Sequence, residues 1–330
     1  MDKGRTEGLL RRAGLIGPEA RIELMPLTGG VSSDVWRATD GFASFCVKAA
    51  LPELKTKARW EAPIGRALAE RNWLDWVGKH FDGFAPRILA FDAAGPTIVM
   101  DFLDPSHFRN WKSKLMDGRV DTGIARQVGS RLARIHAASV CAASVPASFA
   151  NDADFDALRI DPYFRYTAAR EPTVAPRLLE LVSDLEGRRE ALVHGDVSPK
   201  NILCGPDGPV FIDAECATFG DPAFDIAFCL NHILIKSMVM PDRRGELNRA
   251  ALELWEGYAE SARWPGSGAV ELRCTALLPA LMLARVSGKS PLEYLDESGA
   301  RSVRSAAIEL LGRPACNMTA LARFVMEYDR

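Results

Sequence analysis

Between Leu192 and Asp225 the chain reads LVHGDVSPKNILCGPDGPVFIDAECATFGDPAFD, and three of its side chains have the types and spacing for phosphoryl transfer. Asp196 and Asn201 stand in the form H-x-D-x-x-x-x-N that begins at His194, and Pro209 to Asp213 reads as a strand ending on a carboxylate. In such chemistry one carboxylate takes the proton of an acceptor hydroxyl, while an amide and a second carboxylate hold Mg²⁺. Asp196 would fill the first role, and Asn201 and Asp213 the second. Mg²⁺ takes hard oxygen ligands, usually one or two carboxylates completed by phosphate oxygens and water. One amide and one acid, with another acid at the acceptor, meet that demand.

Placing these groups requires a tight loop followed by a return. The loop from Asp196 to Asn201 can aim one side chain at the acceptor and the other at the metal. The turn Gly205-Pro206-Asp207-Gly208 then folds the chain back as a hairpin and brings Asp213 opposite Asn201. Any one of these residues alone would read as a polar group near a turn. Together, in matching context, they read as a site.

The form HGDxxxxNIL, then IDAE, then GDPAFDIA, resembles the aminoglycoside phosphotransferase and choline kinase superfamily, small-molecule relatives of the protein kinases. The resemblance covers nearly the whole chain, with its specific motifs between Leu27 and Asp225. A protein kinase would usually carry Lys at the place of Ser198 and Phe-Gly after the metal-binding Asp, where this chain has Ala214-Glu215. Methylthioribose kinases, one group within the superfamily, typically have Asp-Pro-Glu there, so Ala214 is a departure. The resemblance implies an α+β, bilobal, protein-kinase-like fold. Residues 1–102 would form a small N-terminal antiparallel-sheet lobe with one helix, clamping the nucleotide. Residues 103–330 would form a larger, mainly helical lobe for catalysis and substrate binding. It further implies ATP and Mg²⁺ as cofactors and a small-molecule hydroxyl acceptor. Glu215 matches an acidic position of the small-molecule kinases that would organise the metal or its waters, with a surface acid in a turn as the alternative. His194 and Asp225 resemble positions that brace the catalytic loop.

The nucleotide clamp should lie in the N-terminal third. Leu27 to Trp36 is a glycine turn leading into a strand-like run. Gly29 and Gly30 would let backbone N–H groups approach phosphate oxygens, and Ser32 and Ser33 add donors. Phe45-Cys46-Val47-Lys48-Ala49 reads as a strand with one Lys in an apolar run. A Lys buried there needs a partner, and the phosphotransfer template offers the ATP phosphates and a helix Glu. The alternative is a Lys snorkelling from an edge strand. Ile64 to Val77 has helical spacing, with Pro63 suited to its first turn. Glu61 would precede that helix and Glu70 lies inside it. The superfamily places the acid about two turns before a Trp-hydrophobe pair, as Glu70 stands to Trp76-Val77, so Glu70 is preferred. Pro86 to Asp92 and Thr97 to Leu103 read as two more strands around Ala94-Gly95-Pro96. By the resemblance, the second runs into a hinge where Met100 backs the adenine pocket and the Asp101 carbonyl and Leu103 amide meet the base. An ordinary core strand would look the same.

The remainder reads as mainly helical. Gly123 to Ala138 is amphipathic, with Ile124, Val128, Leu132 and Ile135 on its buried face. His136 reads as a satisfied histidine near a helix end, without chemistry. Asn151 to Asp156 alternates acids but lacks the Gly and distant Glu of a calcium loop, so a solvated turn is expected.

Bulk features fit a soluble two-lobed enzyme, because 330 residues are long for one core. A formal net charge of −2 offers no electrostatic case for nucleic acid or an anionic membrane. The apolar stretches look too short or interrupted to span a bilayer, and Met1 to Arg5 leads into no secretory core. Seven scattered cysteines, odd in number and without CxxC, suggest a reducing cytoplasm with no disulfide frame or zinc site. Oligomeric state has no signature here.

The acceptor is the least legible part. Asp225 to Arg330 holds thirteen acidic and thirteen basic residues. A site for polycationic aminoglycosides would more naturally carry an acidic excess. The balance favours a neutral or partly anionic alcohol such as a sugar-like metabolite, with an amino alcohol also open and an aminoglycoside as the alternative. Leu281 to Arg285 reads as the end of an apolar helix that Gly288 breaks before Lys289. Those cations would either complement the helix dipole in solvent or face the cleft and bind the acceptor. A nucleotide-binding scaffold without activity would show damage at Lys48, Asp196, Asn201 or Asp213, and none is damaged.

Overall fold

The computed structural model describes residues 2–27, 33–51, 65–142 and 144–328. Five N-terminal strands form one antiparallel sheet: β1 (Glu23–Pro26), β2 (Ser33–Thr39), β3 (Ser44–Ala50), β4 (Ile88–Asp92) and β5 (Thr97–Asp101), in the order β1-β2-β3-β5-β4. Side chains alternate between faces along a strand, and β3 uses both. Phe45 and Val47 join a small core on one face with Leu9, Leu10, Ile22 and Val99. Cys46 and Lys48 point the other way, toward the main core. Lys48 sits opposite Val35 on β2 and Ile98 on β5, in the middle of the sheet.

Two helices accompany this sheet, where one was expected. The additional one, α1 (Lys3–Arg12), is capped by the Asp2 carboxylate, which accepts from the Arg5 amide at 3.0 Å. Among the described residues only Leu9 and Leu10 anchor it by apolar contact, so its periodicity is too weak to read in advance. The expected helix is α2 (Arg66–His80), whose Trp73, Leu74 and Val77 are buried in the main core.

The chain then becomes largely helical. The short strand β6 (Arg109–Asn110) and α3 (Trp111–Met116) lead to the long α4 (Thr122–Val140), the amphipathic helix anticipated from its periodicity. After α5 (Val145–Ser148), the segment from Asn151 to Asp156 departs from expectation. Instead of a solvated turn it forms α6 (Asp152–Phe155), which runs directly into a ten-residue π-helix, Asp156–Arg165, with Pro162 inside it. The alternating acids conceal the turn of helix, because its apolar contacts come from Leu158, Ile160 and Phe164 further on. α7 (Tyr166–Arg170) and α8 (Ala175–Glu186) follow.

Two small β elements hold the motif region. β7 (Ala191–Val193) pairs with β10 (Thr218–Gly220), and β8 (Ile202–Gly205) with β9 (Gly208–Phe211), which join β6 in a three-stranded sheet. The last four long helices are α9 (Pro222–Val239), α10 (Arg244–Ser261), α11 (Val270–Ser287) and α12 (Glu297–Gly312), before α13 (Met318–Glu327). By length and composition α9 could cross a bilayer, contrary to expectation, yet 94% of it is buried inside the protein. α4 and α10 approach closely through two glycines. A Cβ on Gly129 would lie 1.9 Å from the Leu254 carbonyl oxygen, and one on Gly257 would lie 2.1 Å from that of Arg126.

Candidate active site

The hairpin forms as its turn predicts, with Ile202 opposite Phe211 and Gly205 opposite Gly208. Its return strand stops at Phe211, two residues short of Asp213, and the Ile212 amide donates to the Asn201 carbonyl at 3.0 Å. That bond closes the loop and sets Asp213 beside Asn201. Asp213 has φ 68°, the left-handed region an L-residue seldom adopts, and it alone does so among the described non-glycine residues. Strain of this kind persists where surrounding contacts over-determine it.

Those contacts centre on Lys48. Its Nζ donates to both Glu70 carboxylate oxygens at 2.8 and 2.6 Å and also to the Asp213 carboxylate. A strand, a helix and the metal-motif loop therefore meet on one ammonium. Burial opposes the Lys48 charge, but Asp213, Glu70 and Glu215 outweigh it and hold its pKa above the ordinary range. Burial alone would likewise raise Asp213, yet Lys48 and Lys200 hold its carboxyl well below the usual carboxylate range. Glu70 goes the other way: burial dominates the pull of Lys48, and the carboxyl is pushed up to about 7.

The loop before Asp196 is fixed by a buried carboxylate. Asp225 accepts from the His194 amide at 2.7 Å and from the Gly195 amide at 2.8 Å. His136, from α4, lies 3.3 Å from the same carboxylate and 2.9 Å from the Tyr258 hydroxyl, so it supports the brace. The His194 ring accepts from the Asp196 amide at Nδ1 (3.2 Å), which places its proton on Nε2, 3.1 Å from the Ile212 carbonyl. One imidazole thus ties the Asp196 segment to the Asp213 segment. Burial lowers its pKa, consistent with a neutral ring. Gly195 has φ +76°, and a Cβ there would sit 2.5 Å from the Cys216 carbonyl oxygen. Only glycine fits.

Asp196 itself is buried, and two cations meet its Oδ2: Arg159 Nη2 at 3.0 Å and Lys200 Nζ at 3.3 Å. Asn201 donates its amide to the Asp196 carbonyl at 3.0 Å, which orients its side-chain oxygen as the remaining acceptor. Asp196, Asn201, Asp213, Lys48 and Glu70 are therefore brought together. Glu215 is neither a surface acid nor near these metal-ligand candidates by any hydrogen bond described. Its carboxylate pairs with the wholly buried Arg66 of α2 at 3.0 Å.

Other expected residues are placed less decisively. Ser33 is the first residue of β2, buried and opposite Ala50. Gly29, Gly30, Ser32 and the rival acid Glu61 lie outside the described residues. Met100 is buried in the main core, and the Asp101 side chain is engaged by Arg87 Nε at 2.8 Å. The Leu103 amide makes no hydrogen bond among the described residues. Arg159 was not legible beforehand: it sits in the segment without a motif, and its Nε also donates to the Gly195 carbonyl. Lys200 fills a variable position of the H-x-D-x-x-x-x-N form, where spacing gives it no weight. A cavity of about 400 Å³ bordered by Phe155, Ile160, Leu185, Asp221 and Phe224 contains none of the expected site residues.

The model of the phosphotransferase enzyme family matches residues 23–264, a span that holds every one of these groups. The chain belongs to that family. This phosphotransferase is 25% identical over 284 residues to a methylthioribose kinase of Bacillus cereus, covering 77% of this chain and 72% of the relative. Its fold is similar to a choline/ethanolamine kinase family protein from Mesorhizobium loti, with a TM-score of 0.55 and 17% identity over 98% of both chains. It is also similar to the amicoumacin kinase hAmiN, solved with AMP-PNP, Ca²⁺ and Ami (TM-score 0.57, 15% identity, 95% of this chain and 97% of that one). At such identities the two solved structures speak for the fold alone: a phosphotransferase with an N-terminal antiparallel sheet and a larger helical part.

Proposed function

We propose that this phosphotransferase is an ATP- and Mg²⁺-dependent kinase that transfers the γ-phosphate to a hydroxyl of a small, sugar-like metabolite. The observation that carries this reading is the single ammonium of Lys48 meeting Glu70 and Asp213, with the neutral His194 linking Asp213 to Asp196. The lobes divide near residues 102 and 103, so that the nucleotide lies between the sheet and the hairpin. Lys48 binds ATP phosphates, positioned by Glu70. Gly29, Gly30, Ser32 and Ser33 cover those phosphates, and the backbone of Asp101 and Leu103 meets adenine.

Among the described residues no group of three or more His, Cys, Asp or Glu could hold a metal ion. The donors available are one amide and one ionised carboxylate, Asn201 and Asp213. That set suits a hard cation that keeps water and phosphate oxygens, as Mg²⁺ does. When bound, the ion supplies neutralisation of the charge that builds on the transferring phosphoryl group. Asp196 accepts the hydroxyl proton as the acceptor oxygen forms its bond to phosphorus. The bond from phosphorus to the β-phosphate oxygen breaks, and ADP leaves. Arg159 and Lys200 hold that carboxylate aimed.

The methylthioribose kinase relatives favour a sugar-like acceptor, and the charge balance from Asp225 onward does not favour a polycation. A cytoplasmic setting goes with such an acceptor and with seven unpaired cysteines. The test is ADP release with ATP and Mg²⁺ across methylthioribose, other sugars, amino alcohols and kanamycin. Turnover of sugar-like acceptors is expected. Robust turnover of kanamycin alone would transfer the assignment to antibiotic phosphorylation, and absence of ATP·Mg²⁺ binding would refute a kinase.

A further inference from the structure

Beside Asp196, one face of α9 runs into an unusual concentration of buried cations. Phe228, His232 and Lys236 follow at four-residue spacing, so they share a face of that helix. The near end of the face is at the reaction centre: Arg159, which touches Asp196, lies over the Phe228 ring at 5.4 Å. The far end is Lys236, 1% exposed, eight residues and about 12 Å along the helix axis from Phe228. Helical side chains lean toward the N-terminus, and the Lys236 ammonium reaches back one turn to the His232 carbonyl.

Lys236 has no carboxylate partner among the described residues. Its Nζ lies 3.3 Å from the His232 carbonyl and 3.2 Å from the Tyr294 hydroxyl, both uncharged. Arg285, also buried, faces the same region from α11. It donates to the Tyr163 hydroxyl at 2.8 Å, and its Nε has no hydrogen-bond partner among the described residues. Tyr163 in turn packs against Phe228 at 5.4 Å, which makes the wall continuous from Arg159 to Arg285. Glu293 is the acid nearest to hand, but it is largely exposed and its carboxylate is taken by Lys112. A buried charge without an opposite charge is strongly unfavourable. The electrostatics agree: burial, then Lys112 and Arg285, bring Lys236 down to about 7, and burial with Arg285, Lys236 and Lys200 lowers His232 well below its ordinary value.

We infer that Lys236 and Arg285 form an anion-binding subsite for the acceptor, so that the substrate is an alcohol carrying a carboxylate or phosphate group. This rests on the phosphotransfer reading of the site and narrows its substrate class. The hydroxyl meets Asp196, and the anionic group lies roughly one to two helical turns away, within reach of both cations. Tyr163, Tyr294 and Ser290 complete the hydrogen bonding. Of the two cations named, Arg285 stands at a helix end that the sequence marks, whereas Lys236 lies inside an apolar run and shows itself only by position.

The experiment uses the full-length protein and matched acceptor pairs: 4-hydroxybutyrate against 1,4-butanediol, gluconate against glucitol, and glycerol 3-phosphate against glycerol. Thermal shift at constant ionic strength reads binding, and ADP release with ATP and Mg²⁺ reads turnover. For at least one pair the anionic member should stabilise the protein and show a KM at least about tenfold lower than its neutral partner. The carboxylate and phosphate arms identify which anion is preferred. Lys236→Met should raise that KM about tenfold or more while kcat at saturating acceptor falls less than about threefold. The same variant, freed of an uncompensated buried charge, should melt no lower than the wild type without acceptor. Arg285→Lys, which keeps the charge, should restore most of what Arg285→Ala loses. The inference is overturned if no anion outperforms its neutral partner, or if the preference survives in both Lys236→Met and Arg285→Ala. Efficient turnover of neutral or cationic alcohols alone would overturn it while leaving the kinase reading intact. Failure of ATP·Mg²⁺ to shift the melting temperature would remove the kinase reading itself.

Discussion

Arg159 Nη2 lies 3.0 Å from Oδ2 of Asp196, and Lys200 Nζ approaches that same oxygen to 3.3 Å. The carboxylate expected to receive a proton is therefore clamped by two cations on one side. Such a clamp fixes the rotamer of the carboxylate.

Removing the carboxylate tests the chemical step. Asp196→Asn should lower kcat by about 10²–10⁴-fold, the usual range for a general base. ATP binding, proposed to rest on Lys48 and Asp213, should survive. Steady-state kinetics together with calorimetry separates the two effects, and near-normal turnover by the variant would sink the role given to Asp196.

Arg159 should act on Asp196 as a positioning residue. It is buried, and Arg159→Met leaves the Gly195 carbonyl without its guanidinium donor. Breaking a buried pair from one side typically costs about 3–5 kcal/mol, and Lys200 remains to keep the loss toward the low end. Chemical denaturation measures that loss. If the role is more than structural, Arg159→Lys should regain stability and part of kcat together. Loss of stability with unchanged kcat at a permissive temperature would confine Arg159 to the fold.

Much of the geometry of the candidate site was legible because its signal is local. Asp196, Asn201 and Asp213 lie within one loop and hairpin, and Lys48 stands out as a lone charge in an apolar strand. Glu70 was chosen over Glu61 by its distance from Trp76, and the bond to Lys48 agrees with that choice. Arg159 and Lys236 were not legible, for opposite reasons. The first lies in a π-helix among residues with no pattern of their own, and the second in a helix whose apolar run reads simply as core. What makes each of them matter is a neighbour far away in sequence. The same holds for Glu215, whose partner Arg66 begins a helix 149 residues earlier. The short α1 escaped because two leucines do not make a period.

The two proposed metal ligands should differ in strength. Asp213→Ala should weaken Mg²⁺-dependent ATP binding more than Asn201→Ala, since the carboxylate contributes charge and the amide does not. Asp213→Ala also releases Lys48 from one of its two acids, so Mg²⁺-free ATP should bind that variant no worse than the wild type. Calorimetry with and without Mg²⁺ on both variants decides it. Unchanged metal dependence in both would refute the assignment.

The acceptor site should carry a pH signature of its own through Lys236. Burial, Lys112 and Arg285 lower its pKa to about 7, against the opposing influence of Glu293 and the nearby buried Cys229. His232 is held well below its ordinary value and stays neutral over the same range. An anion bound at Lys236 favours the charged ammonium, so binding takes up a proton whenever the free enzyme starts deprotonated. Acceptor KM should be flat below about pH 7 and rise above it by up to about tenfold per unit. Stability of the free protein should follow the same group. The unfolded lysine keeps its proton to its ordinary pKa of 10.5, whereas the folded one releases it near 7. Between those values the unfolded state binds more protons, so the stability contribution improves as pH rises. Below about 7 the full penalty of the buried charge remains. Lys236→Met should flatten both profiles. The measurements are KM for the preferred anionic acceptor from about pH 6 to 9 and melting curves over the same range without it. A KM that does not rise above pH 7, or one that rises identically in Lys236→Met, would take the acceptor's anion away from this lysine.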